Sequence, residues 1–194
     1  MKTIMIATGN PHKVKEFKEI FDVFELEINL VSPKDYNDDS EPIEDGNSYK
    51  ENSLIKAKFF YDKYHIPTLA DDSGIEIDFY DGKPGIYSAR FLKDMSYEEK
   101  NIYITNEMKG SNNRGARFMC CVTYIENDEI YSFEGILNGT ISDVPVGDEG
   151  FGYDPIFIPN GYNTTNAVLG QEFKNTHCHR AIALRKWADF FENK

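Results

Sequence analysis

Thr8-Gly9-Asn10, with Lys13 just beyond, joins an apolar run from Ile4 to Ala7 to a segment carrying Val14, Phe17, Phe21 and Phe24 on one stripe. That order predicts strand, tight turn, helix. Such a turn aims backbone N–H groups and the positive end of a helix dipole at one point, and Lys13 adds a full charge there. The chemistry it suits is the binding of an anion such as phosphate. The alternative is a plain βα turn with Asn10 as N-cap. A P-loop is excluded, because the second glycine and the Lys-Ser/Thr pair are missing. A second group is Asp71-Asp72-Ser73-Gly74, where two adjacent carboxylates follow Leu69 and Ala70 and precede the alternating Ile75, Ile77 and Phe79. The pattern predicts strand, acidic turn, strand. The paired charges point either to a Mg²⁺ site of hard oxygen ligands or to an Asx turn that caps its own backbone. A third, Gly150-Phe151-Gly152-Tyr153-Asp154-Pro155, sets two glycines about an aromatic ring. This composition lets a flat ligand approach the backbone while a ring stacks on it, or else makes a packed aromatic corner. His177-Cys178-His179 could suggest zinc, but three consecutive residues cannot all turn to one ion and there is no C-x₂-C partner.

The elements that must position these groups are partly marked by local signals. Phe24 to Val31 reads as a strand, and Ser32 to Asn47 as a polar loop with six carboxylates, most of them a solvated acidic face. Ser48 with Glu51, and Ser96 with Glu99, form capping boxes that open two helices; the first carries Leu54, Ala57 and Tyr61 on one face. Lys56 lies within it, where a lysine ordinarily faces water. Arg117 to Tyr124 and Ile130 to Glu134 read as a hairpin about Asn127-Asp128, with Gly135 marking a bulge before a strand from Leu137 to Ile141. The chain closes on a helix whose Leu184, Trp187, Ala188 and Phe191 face the core.

With 194 residues the chain fits one domain, residues 1–194, large enough for a real core. A net charge of -12 opposes binding to nucleic acid or an anionic membrane, so a polyanionic ligand would need locally gathered cations or a divalent metal. Three cysteines, two of them adjacent, argue for reduced thiols and against a disulfide framework. No long apolar run or signal segment is visible, and a cytoplasmic location is expected.

In type and order, six motifs resemble the inosine/xanthosine triphosphate pyrophosphatase family: Thr8-Gly9-Asn10 with Lys13; Glu51 to Ala57; Asp71 to Gly74; Pro84 to Arg90; Phe151 to Pro155; and Lys174 with His179-Arg180. The resemblance spans nearly the whole chain. It implies an α/β fold, an elongated twisted mixed sheet flanked by helices in two lobes with a central cleft, and a homodimer. The activity implied is hydrolysis of non-standard purine nucleoside triphosphates (ITP, dITP, XTP) to the monophosphate and pyrophosphate, which clears them from the nucleotide pool. Carried over by position, Asn10, Lys13, Lys56 and Lys174 would hold the triphosphate, with Thr8, Gly9, Ser73 and Arg90 in the same substrate-binding set. Glu44 would join Asp71 or Asp72 around Mg²⁺, for which Mn²⁺ substitutes. Asp72 matches the proton acceptor, and Lys13 and Lys56 join it as catalytic residues. Phe151 would stack on the purine, with Asp154, His179 and Arg180 near its edge, and Gly152 and Tyr153 in the same substrate-binding set. A cationic donor there favours a 6-keto purine over adenine. Two departures stand out: Cys178 occupies a position where serine is usual, and Gly170-Gln171-Glu172-Phe173 precedes Lys174.

Overall fold

The apolar run at the start of the chain forms strand β1 (Lys2–Ile6), and the stripe behind the turn forms helix α1 (Pro11–Val23) with Phe17 and Ile20 fully buried. The structure, a computed structural model, describes all residues from Met1 to Lys194. The expected strand from Phe24 starts later than its apolar pattern suggests. Phe24 is the C-cap of α1 and Glu25 takes a left-handed φ of 55°, so β2 spans only Ile28–Val31. Helix α2 (Tyr49–Tyr64) leads into β3 (Thr68–Ile77), followed by β4 (Lys83–Pro84), α3 (Tyr97–Glu107), β5 (Gly115–Glu126), β6 (Glu129–Ile141), β7 (Phe157–Pro159), α4 (Asn166–His177) and α5 (His179–Glu192). The strands hydrogen-bond in the order β2-β1-β3-β5-β6-β7, with β4 against β3, making a seven-stranded sheet. β1 runs parallel to β2 and β3, whereas β3 with β4 and β6 with β7 are antiparallel, so the fold is mixed α/β. No helix is long and apolar enough to cross a membrane.

The strands differ from the sequence reading at two places. Asp71 to Gly74 is not a turn between strands: β3 runs unbroken through all four residues, which also removes the Asx turn. A charged pair survives inside a strand because Lys13, Lys56 and Arg180, from other elements, neutralise it. Gly135 likewise does not divide a strand, since β6 is continuous over 13 residues. The hairpin itself is as expected. Asn127 and Asp128 both adopt left-handed φ, 51° and 62°, the conformation of a two-residue loop whose twist matches its flanking strands.

The chain divides into two compact units: Met1–Asp72 with Cys120–Gly135 and Arg180–Lys194, and Ser73–Met119 with Ile136–His179. In the first, Met5, Ala7, Ala57, Phe60, Ala70 and Ile125 form a core that α2 closes with Leu54 and Tyr61. A buried contact of 2.7 Å between the Ser53 and Thr123 hydroxyls fixes α2 against β5. Trp187 of α5 stacks on Phe21 of α1, with ring centroids 5.2 Å apart and planes 8° from parallel. The core of the second unit is built from Ile75, Ile77, Ile104, Met108, Phe118, Ile156 and Phe157, among others.

Candidate functional site

Side chains alternate across a strand, so consecutive residues of β3 serve opposite faces. Asp71 and Asp72 obey this rule and are given different partners. Asp71 Oδ2 accepts from Arg180 Nη2 at 2.8 Å and Nε at 3.2 Å, and Lys13 Nζ lies 3.0 Å away. Arg180 also binds Glu16 of α1 through Nη1, and its side chain is 1% exposed. Burial works against the charged form of Asp71, but Arg180, Lys13 and Lys56 outweigh it and hold the carboxyl well below the usual range.

On the other face Asp72 meets α2. Lys56 Nζ donates to Glu44 Oε2 at 2.7 Å and to Asp72 Oδ1 at 3.2 Å, while Asn52 Nδ2 donates to Asp72 Oδ2 at 3.2 Å. Asn52 and Lys56 are one turn apart on α2 and therefore share its face. Burial is the largest influence on Asp72 and pushes its carboxyl up, with Lys56 and Lys13 opposing. Lys56 is also enclosed, which favours the neutral amine, yet the charges of Asp72, Asp71 and Glu44 keep its pKa above the ordinary value. The result is a buried carboxylate with raised basicity beside a fixed ammonium, an arrangement able to take a proton near a polyanion.

No group of three or more metal-ligating side chains is gathered anywhere in the chain, so of Asp71 and Asp72 only one can stand with Glu44. Glu44 and Asp72 do converge, since both reach one ammonium, and their hard oxygens suit Mg²⁺. Asp71 turns to the other face of the strand, where its buried Oδ1 has no hydrogen-bond partner.

At the N-terminal turn Asn10 is the N-cap of α1. Its Oδ1 accepts the N–H groups of His12 at 2.9 Å and Lys13 at 3.4 Å, and its own N–H donates to Thr8 Oγ1 at 3.2 Å. The plain-turn reading therefore describes the local structure, and Gly9, Asn10 and the half-buried Lys13 side chain remain at the positive end of the helix.

In the second unit, Gly150 and Gly152 take left-handed φ of 80° and 67°. Asp154 organises this loop: Oδ2 accepts from Phe151 N at 2.9 Å and Lys174 Nζ at 2.7 Å, and Oδ1 accepts from Asn166 Nδ2 at 3.2 Å. The Lys174 ammonium lies 4.8 Å from the centre of the half-buried Phe151 ring. Tyr153 is turned into the core, with its hydroxyl donating to Ser88 O at 2.7 Å. Asp154 and Tyr153 thus shape the loop from within. His179 stacks on Phe118 at 4.8 Å and His177 on Phe173 at 4.7 Å, so the two rings serve separate aromatic partners. Cys178 is buried between α4 and α5. Ser73 is half-buried in β3, and the exposed Arg90 lays its guanidinium 5.4 Å from the Tyr87 ring centre.

Arg180 departs most from expectation. The family resemblance implies a place at the edge of a base, whereas in the structure its guanidinium binds Asp71 and Glu16. A cation at the start of α5 opposes the helix dipole, and the two carboxylates supply the compensation. Glu16 and Asn52 are the site residues that sequence reasoning left without a function. The available signal for Glu16 was a carboxylate directly beside the buried Phe17 in an amphipathic helix.

Residues 4–190 match the model of the Ham1 family, Ham1p_like. A dITP/XTP pyrophosphatase of Oceanobacillus iheyensis is 40% identical over 195 residues, covering 96% of this chain and 98% of that protein. One from Bacillus subtilis is 38% identical over 196 residues, covering 99% and 98%. Among solved structures, a HAM1 protein from Coxiella burnetii superposes with a TM-score of 0.88 at 30% identity, each chain covered in full (100%).

Proposed function

Because this chain belongs to the Ham1 family, we propose that it is a nucleoside triphosphate pyrophosphatase that hydrolyses dITP, ITP and XTP to the monophosphate and pyrophosphate. The observation that carries the reading is the buried Lys56 ammonium held between Glu44 and Asp72, next to the raised carboxyl of Asp72. A water molecule attacks phosphorus as the anhydride P–O bond between the α and β phosphates breaks. Asp72 accepts the water's proton, and Lys56 and Lys13 neutralise charge on the phosphate oxygens. Glu44 and Asp72 would hold Mg²⁺, or Mn²⁺ in its place, which supplies further neutralisation of the triphosphate. Asn10 and the start of α1 orient phosphate, and Phe151 stacks on the purine. The family resemblance adds a homodimer, which sedimentation velocity would test.

The direct test is pyrophosphate release from dITP, XTP, dGTP and dATP, with Mg²⁺ and with excess chelator. Release from dITP and XTP well above that from dATP, abolished by chelator, is the expected result. Equal turnover of all four would refute the non-standard purine assignment, and undiminished turnover in chelator would refute the metal. Stacking is indifferent to the exocyclic group of the base. Phe151→Ala should therefore weaken dITP and dATP alike, by about 1 to 3 kcal/mol in kcat/KM; a loss confined to one base would mean that Phe151 reads the edge instead.

A further inference from the structure

Asn52 is buried, 1% exposed, in the first turn of α2. Its Oδ1 accepts the N–H of Gly46 at 2.9 Å while its Nδ2 donates to Asp72 Oδ2 at 3.2 Å. A backbone N–H only donates and an ionised carboxylate only accepts, so the amide has a single workable orientation between them. Gly46 is matched to this contact. A Cβ there would come within 2.7 Å of both Asn52 Oδ1 and Glu51 Cβ, so a side chain would force the loop away. The next loop amide, Asn47 N, donates to Glu51 Oε2 at 2.7 Å. Two consecutive N–H groups of the loop are thus anchored on two consecutive side chains of α2, and Glu44 lies two residues before the first of them. One turn further along α2, Lys56 joins Glu44 to the second oxygen of Asp72.

We propose that Asn52 is a positioning residue: its side-chain amide sets the carboxylate plane of Asp72 and, through Gly46, holds the Glu44 loop in register with it. This rests on the reading of Asp72 as proton acceptor. With Asn52 and Lys56 each holding one oxygen, rotation of the Asp72 carboxylate is blocked. Lys56 alone would leave it free to pivot, and the loop carrying Glu44 would lose its tie to the same strand.

Two variants separate the parts of this role. Asn52→Leu keeps the volume and removes both hydrogen bonds; Asn52→Asp keeps an acceptor for Gly46 N–H but sets a carboxylate against Asp72. Both should lower kcat for dITP by about 10- to 100-fold with KM little changed, the usual loss when a supporting hydrogen bond is cut. Amide hydrogen exchange at Gly46 should accelerate in Asn52→Leu and stay protected in Asn52→Asp, a readout that needs no turnover. If Asn52→Leu does not fold, the kcat and exchange of Asn52→Asp still decide the matter. Wild-type kcat per folded molecule in Asn52→Asp, or unchanged Gly46 exchange in a folded Asn52→Leu, overturns the proposal. Asp72→Asn is measured in parallel. If it is inactive while the Asn52 variants turn over normally, only the positioning role fails; if it retains full turnover, the reading of Asp72 fails and this inference falls with it.

Discussion

Asp72→Asn is expected to lower kcat by about 10²- to 10⁴-fold while nucleotide binding survives, the span typical of losing a positioned general base. The substitution is nearly isosteric, and an amide can still accept from Lys56 at the position where Asp72 Oδ1 now lies 3.2 Å from that ammonium. It removes the basic carboxylate, whose affinity for a proton burial raises, and with it the acceptor that Asn52 Nδ2 meets at 3.2 Å. Asp71 makes a poor substitute. Its carboxyl is held well below the usual range by Arg180 and Lys13, so it is a weak base, and it serves the opposite face of β3. Steady-state turnover of dITP together with calorimetric binding of a non-hydrolysable analogue would check both halves of the expectation. Near wild-type turnover would move the base to Glu44, the other carboxylate on Lys56.

The parts of this site that could be read from sequence are those decided within a few residues. Asn10 caps α1 through the amides two and three positions on, and Ser96 with Glu99 closes a full capping box. Ser48 caps α2 as expected, although Glu51 reaches past it to Asn47. The Asn127-Asp128 hairpin was legible for the same reason. Asp71-Asp72 was not, because its conformation is decided at long range. Adjacent carboxylates look like a turn until Lys13, Lys56 and Arg180 are known to neutralise them, and Arg180 lies 109 positions away. The alternation that argues against a shared metal at Cys120-Cys121 applies equally to this pair once it is seen to lie in a strand. The contacts of Asp154 and Tyr153 are set at long range in a similar way. The Gly-aromatic-Gly composition marks a loop, but which side chains turn inward depends on Lys174, Asn166 and Ser88.

Arg180→Leu is expected to destabilise the protein by about 3 to 5 kcal/mol, the range for removing one partner from a buried ion pair. The guanidinium spans two carboxylates of different elements, Glu16 on α1 and Asp71 on β3, and these side chains are almost wholly enclosed. Replacing it with an apolar group leaves two buried negative charges short of a cation, with Lys13 still beside Asp71 but on the rim, its side chain 16% exposed. Against a total of about 5 to 15 kcal/mol for a domain, the loss should be plain in urea unfolding. Selectivity distinguishes this role from the base-edge role that the family resemblance implies. If Arg180 acts by joining α1, β3 and α5, the ratio of kcat/KM for dITP to that for dATP, measured well below the unfolding transition, should stay at its wild-type value. If the guanidinium instead leaves its carboxylates to donate to a 6-keto oxygen, that ratio should fall by about 10- to 150-fold, the equivalent of one charged hydrogen bond. A fall of that size with unfolding free energy unchanged would return Arg180 to the base; a large loss of stability with the ratio intact would keep it as the clasp between the strand and the two helices.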